Sequence, residues 1–150
     1  MKALDVRIVD LSPMRVACAH GFGASPEDMA AEAIQAFVDE KGLTNYRQFG
    51  FNNPSPSPGS PNYGYDIWVT VGPEMQGSED IRIKSFEGGL YAVTRFKGLQ
   101  NIGAIWQALV NWCDESPYQM AHHQWLESLQ PPRNVATEEF VFDLYLPIAR

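Results

Sequence analysis

The 150-residue chain is 45% hydrophobic and 19% charged, a composition typical of one globular domain rather than of a disordered polypeptide. Its formal net charge of −7 argues against direct nucleic-acid binding, because a phosphate-binding surface requires clustered Lys and Arg. There is no apolar run of about 18 residues that could cross a membrane, and residues 1–10 alternate charged and apolar side chains, unlike a signal peptide.

The first half of the chain predicts a helix and four strands. The strands are predicted at residues 6–11, 15–20, 46–51 and 65–71, and the helix at residues 25–41. The first two strands are joined across Ser12-Pro13. At the helix, Ser25 is a favoured N-cap, Pro26 suits the first helical position, and Gly42 can end the helix.

The second half predicts the same order of elements. Its strands are predicted at residues 81–86, 90–96, 124–129 and 140–148, and its helix at residues 99–116. Gly88-Gly89 predicts a hairpin turn between the first two strands, because glycine tolerates positive φ. The helix carries apolar residues at helical spacing and is stopped by Pro117.

The two halves form an internal repeat. At an offset of 75 positions, residues 6–8 align with 81–83, and Phe37-Val38 aligns with Trp112-Cys113. At an offset of 77, residues 65–69 align with 142–146. The order of these matches predicts one α+β domain over residues 1–150. It consists of two βαββ repeats, about residues 4–75 and 79–149, related by pseudo-twofold symmetry.

Residues 52–64 interrupt the first repeat. The segment holds four prolines, three serines and two glycines and has no apolar periodicity. It is interpreted as a long exposed loop within the first repeat, because the strand that follows completes the repeat. The sequence leaves open whether this loop is a functional lid or a mobile decoration.

Motifs for common cofactors are missing from the sequence. It contains no Walker loop, no complete dinucleotide fingerprint and no G-x-S-x-G elbow, and His122-His123 has no zinc-ligand companions at the usual spacing. We therefore expect no cofactor and no metal. Cys18 lies between two alanines and Cys113 follows Trp112, and neither is in a C-x-x-C pair, which predicts two reduced core thiols in a cytoplasmic protein.

Several aromatic residues occur at strand positions that alternation assigns to the face away from the helices. In residues 65–71, Tyr65 shares one face with Ile67 and Val69, whereas Trp68 lies on the other. In residues 142–148, Tyr145 occupies the position equivalent to Trp68. The two rings either face a shared groove or fill the interface between the halves, and the sequence does not decide between these alternatives.

Glu127 is the other candidate site residue, because its neighbours on the same strand face are apolar. Alternation places it on the same strand face as Trp125 and Leu129. Such a carboxylate suits an apolar binding surface, and the alternative is an exposed glutamate on an edge strand.

These features resemble the GyrI-like effector-binding domains, also found as effector domains of AraC-type and MerR-type regulators. The resemblance rests on residues 11–17 (LSPMRVA), residues 86–98 (FEGGLYAVTRFKG), Tyr65-Asp66, residues 142–147 (FDLYLP), Trp106 and Trp112. In that family the corresponding segments are two hairpins, an "R-Y-D" strand, a "D-I-Y-I-P" strand and a helix with spaced tryptophans. The resemblance covers almost the whole chain.

The resemblance implies two βαββ repeats with a ligand cleft between them. Glu127 matches the working glutamate of that cleft, and Tyr145 matches the tyrosine of "D-I-Y-I-P". The implied ligand-binding set is completed by wall positions at Trp68, Tyr65, Trp106 and Tyr91. One departure is Leu129, where family members often carry tyrosine. No helix-turn-helix flanks the domain, so operator binding by this chain is not expected.

Three functions follow from the resemblance. The leading one is a stand-alone protein that binds a flat, apolar organic ligand, either neutral or cationic, through aromatic stacking and a carboxylate. The second is a hydrolase that opens cyclopropane-bearing natural products, with Glu127 and Tyr145 as catalytic candidates. The third is contact with a protein partner, either DNA gyrase or a separate regulator. The sequence does not choose among them.

Overall fold

The computed structural model describes residues 4–150, so residues 1–3, part of the segment predicted not to be a signal peptide, lie outside the described residues. The described chain forms nine strands and two α-helices. Their bounds are β1 Arg7–Leu11, β2 Met14–Gly23, α1 Pro26–Lys41, β3 Gln48–Asn52, β4 Tyr63–Thr70, β5 Arg82–Phe86, β6 Gly89–Lys97, α2 Ile102–Asp114, β7 Gln119–Met120, β8 Leu126–Leu129 and β9 Val141–Ala149. Among the described helices, none is long and apolar enough to cross a membrane.

One of two compact units, here called the continuous unit, spans Pro13–Glu87. Its antiparallel strands lie in the order β3-β4-β2-β5. Helix α1 packs on one face of this sheet, over a core that includes Ala17, Ala19, Ile34, Phe37, Ile67 and Val69. Pro26 begins α1 and Gly42 ends it in the left-handed conformation, as predicted, whereas the Ser25 side chain makes no capping hydrogen bond.

The other unit, here called the split unit, joins the segment ending at Ser12 to Gly88–Arg150. Its antiparallel strands lie in the order β1-β6-β9-β8, and β7 also pairs with β9. Helix α2 packs over a core of Ala92, Leu109, Cys113, Phe142, Leu144, Leu146 and Ile148. The order β8-β9-β6-β1 repeats β3-β4-β2-β5 strand for strand, which agrees with the sequence repeat and with the predicted α+β class.

The predicted hairpins are wrong, because the first strand of each repeat pairs with the second strand of the other. Strand β1 pairs with β6, and β5 pairs with β2. Gly88 does adopt a positive φ of 81°, but it does not form a hairpin turn. Its backbone instead passes close to β1, where a Cβ on Gly88 would lie 2.0 Å from the Leu11 carbonyl oxygen. Strand alternation encodes which face a residue occupies but not which strand it pairs with.

Other boundaries shift by a few residues. The helix predicted at 99–116 begins with a 3₁₀ turn at Leu99–Asn101 before α2, and the strand predicted from residue 124 begins at Leu126. Strand β7 was not predicted, because two residues are too few to show a period.

Gly64 allows the closest backbone approach in the continuous unit. A Cβ on Gly64 would lie 1.8 Å from the Asn53 carbonyl oxygen, whereas Gly103, within α2, has open space. We expect Gly64→Ala to lower the free energy of unfolding by about 1–3 kcal/mol through overpacking. Gly103→Ala should raise it by about 0.5–1 kcal/mol by reducing the entropy of the unfolded chain. Urea unfolding measures both, and equal effects would contradict the assigned geometry.

The proline-rich segment is exposed from residue 52 to 62 and is tied at its base. The Asn53 amide donates to the Gly64 carbonyl, and the Gly64 amide donates to the Pro54 carbonyl, both at 2.9 Å. Beyond this base, the Ser60 amide donates to the Ser57 carbonyl.

Replacing residues 55–61 by a short turn, with Asn53 and Gly64 kept, should therefore change the free energy of unfolding by less than about 1 kcal/mol, the scale of loop-closure entropy. Thermal unfolding followed by circular dichroism measures this. A large loss would show that the segment is a packed element.

Candidate functional site

Glu127 lies on the face of the split-unit sheet that carries α2. In the β8–β9 register it pairs with Leu144, which is fully buried in the core beneath α2. Paired residues of antiparallel strands project to the same face, so the Glu127 side chain points towards the helix. There the indole Nε1 of Trp106 donates a 3.2 Å hydrogen bond to Glu127 Oε2. The structure therefore brings together Trp106 and Glu127, two of the site residues that were predicted from the sequence.

Trp125 completes this group, and Trp106, Trp125 and Glu127 are here called the tryptophan–carboxylate cluster. The two indole rings lie 5.2 Å apart, tilted by 45°. All three side chains are half-buried. The cluster thus offers aromatic surface beside a carboxylate whose orientation is held by a hydrogen bond.

Helix α2 leaves much of its apolar surface only partly covered. Its fully buried residues are Leu109 and Cys113, whereas α1 buries five residues. The other large apolar side chains of α2 are half-buried: Ile102, Ile105, Trp106, Val110 and Trp112. Large aromatic side chains left half-covered next to a carboxylate provide contact area for an apolar molecule.

Tyr145 and Tyr91 lie on the opposite face of the same sheet. Tyr145 pairs with Leu126, one residue from Glu127, so alternation turns it away from α2. Tyr91 contacts the Tyr145 ring edge-to-face at 5.5 Å, and its hydroxyl donates to the Gln124 carbonyl. Burial raises the pKa of Tyr91 well above its usual value.

The expectation that Tyr145 walls the same surface as Glu127 is therefore wrong. The reason is the period of two along a strand: Leu126 and Glu127 are neighbours in sequence but project to opposite faces. The sheet lies between the two side chains, so they cannot act as a catalytic pair on one bond.

Trp68 and Tyr65 lie in the continuous unit, also on opposite faces. Trp68 pairs with Cys18 on the face away from α1 and packs between Phe51 and Phe86, at 5.0 and 5.1 Å between ring centroids. Tyr65 packs on the α1 side, where a Cβ on Gly50 would lie 2.3 Å from its hydroxyl oxygen. The predicted placement of Trp68 and Tyr145 away from the helices is confirmed within each unit.

A polar pocket of about 360 Å³ in the continuous unit was missed by the sequence reasoning. At its base, Asp66 Oδ1 lies 2.5 Å from His20 Nδ1, and Asn53 Nδ2 donates to Asp66 Oδ2 at 3.1 Å. Among residues 4–150, no group of three or more His, Cys, Asp or Glu is arranged to hold a metal ion. The sequence signal that could have found this pocket is the spacing of Cys18 and His20. They are two residues apart in one strand and therefore lie on the same face.

Both thiols are buried, and their environments disfavour the thiolate. Burial, followed by the charge of Asp66, raises the pKa of Cys18 to about 11, and burial also raises the pKa of Cys113. A thiol with so high a pKa holds little thiolate near pH 8, where the thiolate is the reactive form.

We therefore expect Cys18 of the native protein to react with Ellman's reagent about a hundredfold more slowly than after unfolding in urea, and Cys113 also to react more slowly than in the unfolded chain. Cys18→Ser and Cys113→Ser variants assign the two rates. Fast reaction of Cys18 in the native protein would show that the pocket activates the thiol.

With the geometry described, comparison with known proteins identifies the family. The sequence matches the model for integron-associated effector-binding proteins over residues 7–148. The chain belongs to this family. Effector binding is the class that the sequence motifs imply, while membership of the GyrI-like group stays a prediction. A comparison with curated proteins gives no match.

Several solved structures share the fold at low sequence identity. The C-terminal domain of EcmrR aligns with a TM-score of 0.77 and 12% identity over 98% of each chain. In the EcmrR–DNA complex the aligned part is 57% of that longer chain. A hydrolase from Listeria innocua aligns with a TM-score of 0.66 and 10% identity, covering 99% of this chain and 94% of that one. SAV2435 bound to tetraphenylphosphonium gives a TM-score of 0.56 and 11% identity, with coverages of 97% and 94%.

Proposed function

We propose that this effector-binding protein takes an apolar aromatic cation at the tryptophan–carboxylate cluster. The observation that carries the proposal is the hydrogen bond from Trp106 Nε1 to Glu127 Oε2 within half-covered aromatic surface. The bond orients the carboxylate on the α2 face, so that negative charge and aromatic rings are presented together.

The chemistry of the cluster favours a cation over a neutral ligand. Moving a charged molecule from water to an apolar surface is costly unless an opposite charge is present, and Glu127 supplies that charge. The indole rings of Trp106 and Trp125 add stacking and cation–π attraction. Affinity for neutral aromatic molecules would depend on the rings alone.

The comparisons support this choice of ligand class. SAV2435, which shares the fold, is bound to tetraphenylphosphonium, an apolar aromatic cation. The family description, effector binding, is compatible with a small organic ligand. Within the proposal, Glu127, Trp106 and Trp125 contact the ligand. Tyr91 and Tyr145 support the adjoining backbone from the other face of the sheet, where Tyr91 bonds to the Gln124 carbonyl.

Glu127→Gln tests the role of charge while retaining an oxygen that can accept from Trp106. We expect affinity for tetraphenylphosphonium to fall by about 1–3 kcal/mol, or roughly 5- to 150-fold, the scale of a charge-assisted contact. Affinity for a neutral relative, triphenylphosphine oxide, should change little. Isothermal titration calorimetry measures both.

The matched control is Glu115→Gln, which removes the same charge from an exposed position just after α2. It should leave both affinities unchanged. Equal losses for the cation and the neutral ligand in Glu127→Gln would mean that Glu127 shapes the surface without recognising charge. No change with either ligand would place the binding site elsewhere.

A further inference from the structure

The polar pocket of the continuous unit lies on the face of the sheet away from α1. It is lined by Cys18, His20, Asn53, Asp66, Glu79, Asp80, Arg82 and Lys84. Cys18 and His20 project from β2, opposite Arg82 on β5 and Asp66 on β4. The tryptophan–carboxylate cluster is in the split unit, so the two sites share no residue.

The base of the pocket is built around one buried carboxylate. Asp66 is only 2% exposed, and its two oxygens are engaged by His20 Nδ1 and Asn53 Nδ2. Since Nδ1 of His20 faces the carboxylate, Nε2 is the ring nitrogen that can bond to a ligand. Asn53 is held in turn by its backbone hydrogen bond to Gly64. Both oxygens of Asp66 therefore already have a partner at the base of the pocket.

The equivalent carboxylate of the second repeat is satisfied differently. Asp143, 77 positions after Asp66, accepts two hydrogen bonds from Arg95 and pairs with Arg7 at 3.4 Å. Arg82 is the repeat equivalent of Arg7, at an offset of 75. In the continuous unit, however, His20 and Asn53 take both oxygens of Asp66. Arg82 is therefore left to line the pocket instead of neutralising the aspartate.

Four charged side chains of the lining remain without a partner inside the described chain. Arg82, Lys84, Glu79 and Asp80 make no side-chain hydrogen bond and no ion pair within 4.0 Å to any residue of the described part. Glu79 and Asp80 are the central residues of a turn closed by reciprocal backbone bonds between Ser78 and Ile81. The turn therefore holds two carboxylates, and β5 holds two cations.

We propose that this pocket is a second ligand site, for a small zwitterion that carries a carboxylate and an ammonium group. The carboxylate of the ligand pairs with Arg82 and Lys84, and its ammonium group pairs with Glu79 and Asp80. His20 Nε2 provides a further hydrogen-bonding position for the ligand. A ligand of one charge alone meets like charges as well as opposite ones, so the pocket disfavours simple anions and simple cations.

The test uses ω-amino acids from glycine to 6-aminohexanoate as probes of charge separation. For each length, the carboxylic acid and the amine of the same chain length provide singly charged controls. Binding is followed by amide chemical shifts in two-dimensional NMR. At least one zwitterion should bind about tenfold or more tightly than both of its controls, with shifts in residues 18–20 and 79–84.

Arg82→Gln and Glu79→Gln should each lower the affinity for that zwitterion by about tenfold, because the first removes a partner of the ligand carboxylate and the second removes a partner of its ammonium group. Glu32→Gln and Arg150→Gln, at exposed positions outside the lining, are the matched controls and should leave binding unchanged. Tetraphenylphosphonium binding should be unaffected in all four, which separates this proposal from the one for the tryptophan–carboxylate cluster.

Equal affinity for zwitterion, acid and amine would overturn the proposal, as would binding that survives both pocket substitutions. The absence of binding by every ω-amino acid at millimolar concentration would also overturn it.

Discussion

The pairing of β1 with β6 and of β5 with β2 is the constraint on which both units depend. Without β5, strand β2 would be an open edge of the continuous unit, and an unpaired edge exposes a row of backbone donors and acceptors. Strand β5 also carries Arg82 and Lys84 into the polar pocket. In the split unit, β1 brings Arg7 to Asp143, where it joins Arg95 of β6. Strand β1, from the first half of the sequence, thus supplies the split unit with an edge strand and a cation. Strand β5, from the second half, supplies the continuous unit with an edge strand and two cations.

Strand alternation was readable from sequence and was right wherever it was applied to a single strand. It placed Trp68 and Tyr145 away from the helices, and Glu127 on the same face as Trp125 and Leu129. The order of elements was also readable, because each repeat shows a switch between strand and helix periods. Strand alternation did not show how the strands pair with one another. For that reason the hairpins were predicted wrongly, and the opposed faces of Glu127 and Tyr145 and the bond between His20 and Asp66 were missed. These depend on pairing partners and register, which no local period encodes.

The resemblance to a known family supplied residues that single-strand reasoning could not rank. It added Trp106 to Glu127, which strand alternation had already indicated, and the structure joins the two by a hydrogen bond. It also grouped Tyr145 with Glu127, which the β8–β9 register contradicts. A motif indicates which residues correspond to the family's site residues, but it does not indicate which face of the sheet each of them occupies. Motif and register therefore have to be used together when a site is assigned.

The divergence between the repeats explains why we propose the aromatic-cation site in the second repeat. Gly50 and Glu127 are equivalent, because Gly50 pairs with Ile67 and Glu127 pairs with Leu144, two positions that the repeat aligns. In the continuous unit the Tyr65 hydroxyl occupies the space beside Gly50, and α1 buries five residues, including Ile34 and Phe37. In the split unit the same position holds a carboxylate, and α2 leaves its tryptophans half-covered. The half-covered apolar face of α2 lacks packing that the other repeat retains, and a bound aromatic cation would supply that contact area beside the carboxylate.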